Sequence, residues 1–236
     1  MAPRPLLVVA ATRLELDAAL GRTHAAERGG VFEAEACGRP VLALITGVGL
    51  LNAALALGRA LERHAPAGVL NLGLAGSFDL AEHPLGAVRL VERETWPEYG
   101  LLAAGACAAD ARGLGFALAG RGAEAIFDSL GWDAPAELER LGLAAAGWRT
   151  AASLSVSGVS ADAERAAALR ARLGADLENM EGFALAYGCR LAGLPFAELR
   201  AVSNAVGSRP PLAWDLPGGL AALGGAVRRL FAADAP

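Results

Sequence analysis

Three short stretches of the chain carry residues able to do chemistry. Glu15, in Ala11-Thr12-Arg13-Leu14-Glu15-Leu16, lies just past an apolar run, where a carboxylate can act as a general base toward water. The same glutamate also fits an ordinary charge in the first turn of a helix. Glu178-Asn179-Met180-Glu181-Gly182 places two carboxylates and an amide at a predicted strand-to-helix junction. Ionised carboxylate oxygens accept hydrogen bonds from neighbouring hydroxyls, which suits a ribose, although acidic residues also stabilise a helix N-terminus. Ser203-Asn204 follows a predicted strand over residues 196–202. An asparagine amide both donates and accepts, which fits the N7, O6 and N1 edge of a 6-oxopurine; a turn or helix cap is the plainer alternative.

These stretches need a frame. The run Leu-Leu-Val-Val-Ala-Ala at residues 6–11 predicts a strand buried on both faces. Residues 31–36 and 41–46 flank Cys37-Gly38-Arg39-Pro40 and predict a β-hairpin. Residues 50–64 are apolar at helical spacing, with Arg59, Glu62 and Arg63 outward. Further strands are predicted at 69–74, 87–92, 150–156 and 196–202, a short strand or turn at 176–180, and helices at 161–173, 182–191 and 216–233. The Ala- and Gly-rich segment 101–125 shows no usable periodicity.

Alternating strands and helices predict one α/β domain over residues 1–236, a three-layer α/β/α fold with a mixed, mostly parallel central sheet. Ligands of such sheets bind beyond the carboxyl ends of strands. Thr46-Gly47-Val48-Gly49, Gly73-Leu74-Ala75-Gly76-Ser77, Ser157-Gly158 and Ser203-Asn204 put small or polar residues there, letting a ligand approach the backbone.

Composition excludes several classes. The 236 residues carry a net charge of −4, with 54% hydrophobic and 19% charged residues, and the basic residues are scattered arginines. No basic stripe marks a nucleic-acid surface. Cys37, Cys107 and Cys189 are too few and too far apart for a disulfide framework, and His24, His64 and His83 lack metal-ligand spacing. No GxGxxG follows the first strand, and neither GxxxxGK[ST] nor GxSxG occurs. No metal and no cofactor is expected. The short first apolar run, soon followed by Arg13, Glu15 and Asp17, fits neither a signal peptide nor a membrane helix, so a cytoplasmic protein is expected. Trp96, Trp132, Trp148 and Trp214 are expected in the core or an interface, with one available to stack on a base.

In order, LLVVAATRLELDAAL, LITGVGLLNAALALG, NLGLAGSFD, DLENMEGFALAYGCRLAGLPF and LRAVSNAVGSR resemble the nucleoside phosphorylase and nucleosidase superfamily. The likeness runs from Leu6 to the closing helix and is weakest across residues 97–147. It implies that Glu15 positions an attacking water, that Met180 and Glu181 contact ribose, and that Ala75 and Gly76 line the base site with Ser203. Adenine-cleaving members end the last strand in Ser-Asp, whereas this chain has Asn204, which suits hypoxanthine. The segment Ser203 to Arg209, with Trp214-Asp215, is similar to the futalosine hydrolases, which release hypoxanthine from futalosine in menaquinone biosynthesis. Pro210-Pro211 replace the acidic stretch usual after that arginine.

The resemblance implies an N-ribosyl hydrolase for a small-molecule nucleoside, in a homo-oligomer, with no nucleic-acid or membrane partner. Phosphorolysis is the nearest rival, yet the glycine loops at 46–49 and 73–77 have no adjacent arginine in sequence; Arg13 remains open as a phosphate ligand. An adenine-type nucleosidase and a nucleoside-binding protein without turnover are the other readings.

Overall fold

The structure, a computed structural model, describes residues 4–21, 30–209 and 213–232. Strand β1 (Leu6–Ala10) leads through the Thr12 cap into α1 (Arg13–Leu20). The hairpin β2 (Val31–Ala36) and β3 (Arg39–Ile45) pairs antiparallel as expected. Its turn residues Cys37 and Gly38 both have positive φ, 51° and 86°, as a tight two-residue turn requires. Helix α2 (Leu50–Arg63) is followed by β4 (Gly68–Ser77) and β5 (Val88–Thr95).

The segment without periodicity holds only the one-turn α3 (Ala111–Leu114) and a 3-10 turn at Gly122–Glu124. After it come β6 (Ser129–Gly131), α4 (Ala134–Arg140), β7 (Thr150–Ser155), α5 (Ala163–Leu173) and β8 (Leu177–Asn179). Helix α6 (Gly182–Ala192), β9 (Phe196–Ala205) and α7 (Leu216–Phe231) complete the order.

Strand β1 shows how the layers form. Leu6, Val8 and Ala10 face one core with Leu16 of α1, Leu138 of α4 and Leu223 and Val227 of α7. Leu7 and Val9 face the other, with Ala53 and Leu57 of α2 and Phe183 and Leu185 of α6. Helices therefore cover both faces, and the three-layer α/β/α architecture holds. Each fully buried leucine or valine contributes about 1.5–3 kcal/mol of burial free energy.

The sheet is mixed. Among described residues, β1–β3, β1–β4, β4–β9, β5–β7 and β7–β8 pair parallel, and β2–β3, β4–β8, β5–β6 and β5–β9 antiparallel. An open sheet does not describe it fully, because β4, β8, β7, β5 and β9 close into a ring.

Two strand ends also differ from expectation. β4 runs on through Ala75-Gly76-Ser77, and β9 continues to Ala205, so Ser203 and Asn204 lie within a strand instead of after it. Between Ala75↔Val202 and Gly76↔Asn204 the register shifts, leaving Ser203 as the extra residue of a β-bulge.

Candidate functional site

The seven sequence-predicted site residues line one cavity of about 320 Å³ at the carboxyl-terminal ends of β1, β4 and β9: Glu15, Ala75, Gly76, Met180, Glu181, Ser203 and Asn204.

Glu15 belongs to the first turn of α1 but is only 7% exposed, so the solvated-charge alternative does not describe it. Its Oε2 accepts from Thr12 N (2.9 Å) and Thr12 Oγ1 (2.7 Å), and Thr12 Oγ1 accepts from Glu15 N, a reciprocal capping box. Its Oε1 accepts from Leu74 N at 2.9 Å, which ties α1 to β4. Oε2 thus has both lone pairs engaged, and Oε1, with one bond, retains acceptor capacity.

Glu181 sits at the N-cap of α6. Its Oε1 accepts from Gly49 N (2.9 Å), and its Oε2 lies 3.6 Å from Arg200 Nη1. Gly49 has φ +98°, which explains the glycine at this corner: the backbone N–H can face the carboxylate in a conformation other residues rarely adopt. Burial raises the Glu181 carboxyl above its ordinary value, with Arg200 opposing. Met180 lines the cavity while packing against the cluster that contains Leu154 and Val156.

At the opposite end, Ser203 Oγ donates to Asn204 Oδ1 (2.9 Å), and Asn204 Nδ2 donates to Ala205 O (3.0 Å). These two bonds set which way the amide faces, leaving one N–H of Nδ2 for a ligand. The bulge explains how consecutive residues of one strand reach the same cavity. Gly76 makes room for them, since a Cβ there would stand 2.9 Å from Asn204 Nδ2.

The sequence analysis did not anticipate the polar network beneath this floor. Arg200, 1% exposed, donates from Nε to Glu198 Oε1 (2.6 Å) and from Nη2 to Asn179 Oδ1 (3.1 Å). Asn179 Oδ1 also accepts from the backbone N–H groups of Glu181 and Gly182, both at 2.8 Å. Asn179 Nδ2 donates to Glu94 Oε1 (2.6 Å) and Ser153 Oγ (2.7 Å), and Ser155 Oγ donates to Glu94 Oε2 (2.7 Å).

All these residues except Glu181 and Gly182 come from the ring strands. Burial, then the Glu198 charge, pushes the Glu94 carboxyl up to about 8. Burial likewise raises Glu198, with Arg200 opposing. Burial by itself disfavours the charge on Arg200, but Glu198, Glu181 and Glu94 outweigh it and hold the guanidinium charged. A Cβ at Gly182 would collide with the carboxylates of Glu94 and Glu198, so only glycine fits there.

The network corrects the expectation that the glycine loops lack an arginine. In space Arg200 lies against Gly73 and donates to Leu74 O (3.3 Å), although it does not line the cavity. Arg13 points elsewhere, 3.5 Å from Asp17 and half exposed. Trp214 and the exposed Arg209 do line the cavity, with Trp214 Nε1 donating to Ser208 O at 3.2 Å. Trp96 stacks on Tyr99, Trp132 meets Phe196 edge-on, and Trp148 lies under Arg229.

Among described residues, one group brings metal-ligand atoms together: Glu82, His83 and Asp176, within 4.8 Å of one another. His83 Nδ1 accepts from Arg89 Nε at 2.7 Å, which leaves the ring proton on Nε2, the atom facing the carboxylates. Metal-bound histidines have the reverse pattern, donating from the distal nitrogen, so this group does not fit an ion. His24 lies outside the described residues.

Residues 5–216 match the phosphorylase superfamily. The chain belongs to that superfamily. Within it, the chain is 39% identical over 193 residues to a futalosine hydrolase of Thermus thermophilus, covering 81% of each. It is 47% identical over 97 residues to a futalosine hydrolase of Streptomyces coelicolor, covering 41% of each. Among solved structures, 5'-methylthioadenosine/S-adenosylhomocysteine nucleosidase from Helicobacter pylori superposes with a TM-score of 0.73 at 16% identity, covering 97% of each chain. Futalosine hydrolase of the same organism superposes at 0.71 with 15% identity, over 95% of this chain and 96% of that one. The fold of these superfamily structures is thus shared along nearly the whole length.

Proposed function

We propose that the chain, working as one domain, is an N-ribosyl hydrolase that cleaves futalosine with water and releases hypoxanthine, a step of menaquinone biosynthesis. The observation that carries this reading is the convergence of Glu15, Glu181 and Asn204 on one cavity. The likeness to curated futalosine hydrolases supports the substrate.

The C1′–N9 bond breaks first and leaves an oxocarbenium-like sugar, as in glycoside cleavage generally. Asn204 donates to the base as negative charge develops on it, a preorganised electrostatic contribution. Glu181 holds the ribose hydroxyls and favours the cationic sugar. Glu15 takes a proton from water as its oxygen bonds to C1′. The base leaves with its bonding electrons and takes a proton from solvent on the ring, giving neutral hypoxanthine, while Glu15 returns its proton to solvent. A second cavity of about 510 Å³ shares Val48 with the first and is walled by Leu51, Trp96, Phe183 and Tyr187. Its size supports a nucleoside with a bulky 5′ group over inosine.

Water is favoured over phosphate on electrostatic grounds. The network under the ribose end sets one guanidinium, Arg200, against the carboxyls of Glu181, Glu198 and Glu94. Arg200 is thus engaged by carboxyls and does not line the cavity, so it presents no free cation to a phosphate anion at the ribose end.

The deciding assay follows base release from futalosine and inosine, each with and without phosphate. Hypoxanthine from futalosine, independent of phosphate, is the expected result; ribose 1-phosphate as co-product would move the chain to the phosphorylases. Binding without turnover would leave a nucleoside-binding protein. In the same assay Asn204→Ala is expected to lose on the order of a hundredfold or more in rate, about 3 kcal/mol, and near-wild-type turnover would remove Asn204 from the mechanism.

Among the described residues no helix is long and apolar enough to cross a membrane. A cytoplasmic homo-oligomer remains our reading, supported by Leu51 and Leu55, which are 74% and 60% exposed on α2 beside the apolar cavity. Sedimentation as a monomer would remove the oligomer from it.

A further inference from the structure

Glu178 has no part in the mechanism above, yet it is 7% exposed and lines the same cavity as Asn204. Strand pairing places it there. Gly76 of β4 is the register partner of Glu178 on β8 and of Asn204 on β9. Residues directly opposite one another on neighbouring strands project to the same face of a sheet. Glu178 and Asn204 therefore flank a position with no side chain, across two strand spacings, roughly 9.5 Å. The result is a flat floor at Gly76 with a carboxylate on one side and an amide on the other.

The carboxylate is held in place. Glu178 Oε1 accepts from Ser160 N (3.0 Å) and Oε2 from Ser160 Oγ (2.6 Å). Both are bonds into the carboxylate, so each oxygen keeps further acceptor capacity toward the cavity, and an ionised Glu178 offers a ligand no donor.

We propose that Glu178 is a specificity-determining residue that accepts the N1–H of a 6-oxopurine while Asn204 takes the N7 and O6 edge. The inference rests on the functional reading above and adds the residue that selects the base. A 6-oxopurine carries a proton on N1, and adenine carries a lone pair there. Against adenine the carboxylate faces another acceptor, and a buried acceptor left without its donor is costly. Discrimination thus comes from both ends of the base, and Asn204 alone does not supply it.

The test compares equilibrium binding of hypoxanthine, 1-methylhypoxanthine and adenine to the full chain and to Glu178→Ala and Glu178→Gln. The wild type is expected to bind hypoxanthine at least about tenfold more tightly than either other base, and Glu178→Ala to remove most of that gap. Glu178→Gln introduces an N–H able to meet an unprotonated N1, so its preference is expected to move toward adenine. A carboxylate that only braced Ser160 would weaken all three bases equally, and an unchanged gap in Glu178→Ala overturns the proposal. Far-ultraviolet circular dichroism checks that each variant is folded, and Glu178→Gln keeps the question open to decision if Glu178→Ala is not. A wild type that binds no purine overturns the functional reading and this inference together; a gap surviving Glu178→Ala overturns the inference alone.

Discussion

Arg200→Met is expected to destabilise the fold by about 3–5 kcal/mol, the range for removing one partner of a buried ion pair. Methionine fills much of the space but leaves Glu198 and Glu181 without their counter-charge and Asn179 Oδ1 short of one donor. Glu198 has no exposure at all, so water cannot replace the guanidinium. Both carboxyls are already raised by burial, and losing Arg200 raises them further. The sign of the pH dependence follows: in the variant these groups bind protons more readily folded than unfolded, so its deficit shrinks as pH falls from their raised folded values toward the ordinary carboxylate value. Urea unfolding at two pH values measures this. A loss below about 1 kcal/mol, or one that does not vary with pH, would mean the network is not held by the guanidinium.

Glu15→Gln is expected to lower kcat by roughly two to four orders of magnitude, the usual contribution of a positioned base. The substitution keeps the side chain's shape while abolishing its basicity. It also affects the helix start, because Glu15 accepts at both ends, from Thr12 on one oxygen and from Leu74 N on the other. A glutamine amide must present its NH2 to one of those donors, whichever way it turns. A stability loss of about 1 kcal/mol is therefore expected beside the kinetic one, comparable to loss of a helix cap. Single-turnover kinetics on futalosine together with thermal unfolding separate the two effects. A kcat close to wild type, with a folded variant, would exclude Glu15 as the base and leave it a structural cap.

What could be read from the chain alone followed from local physics. Residues 6–11 are apolar without interruption because β1 is covered on both faces, and the 31–46 hairpin announces itself through its turn. The site motifs were less legible locally, because each also fitted a helix start, a turn or a cap; it was the resemblance to the nucleosidase superfamily that named Glu15, Gly76, Glu181 and Asn204 before their meeting place was known. The supporting network was harder. Glu198 and Arg200 alternate inside the apolar strand Phe-Ala-Glu-Leu-Arg-Ala-Val, and charges in a buried strand demand partners. That signal was present, but the partners Glu94, Asn179 and Glu181 are set by the β5–β9 and β7–β8 pairings, which no local pattern encodes. Segment 101–125 stayed opaque because it contains almost no regular structure to generate a period.

The bulge at Ser203 changes what kind of alteration β9 can tolerate. In a regular strand neighbours face opposite ways, so a chain that needs two adjacent side chains in one chamber must break the alternation. Here a single supernumerary residue does so. Chemistry at position 204 can then be exchanged without disturbing the course of the strand, making residue identity there a free variable of recognition. Strand length is not free in the same sense. Deleting one residue would restore the alternation and turn one of the two side chains away, while leaving every hydrophobic pairing below the bulge intact. Along β9, identity at 204 governs what is recognised, and the residue count governs whether recognition takes place at all.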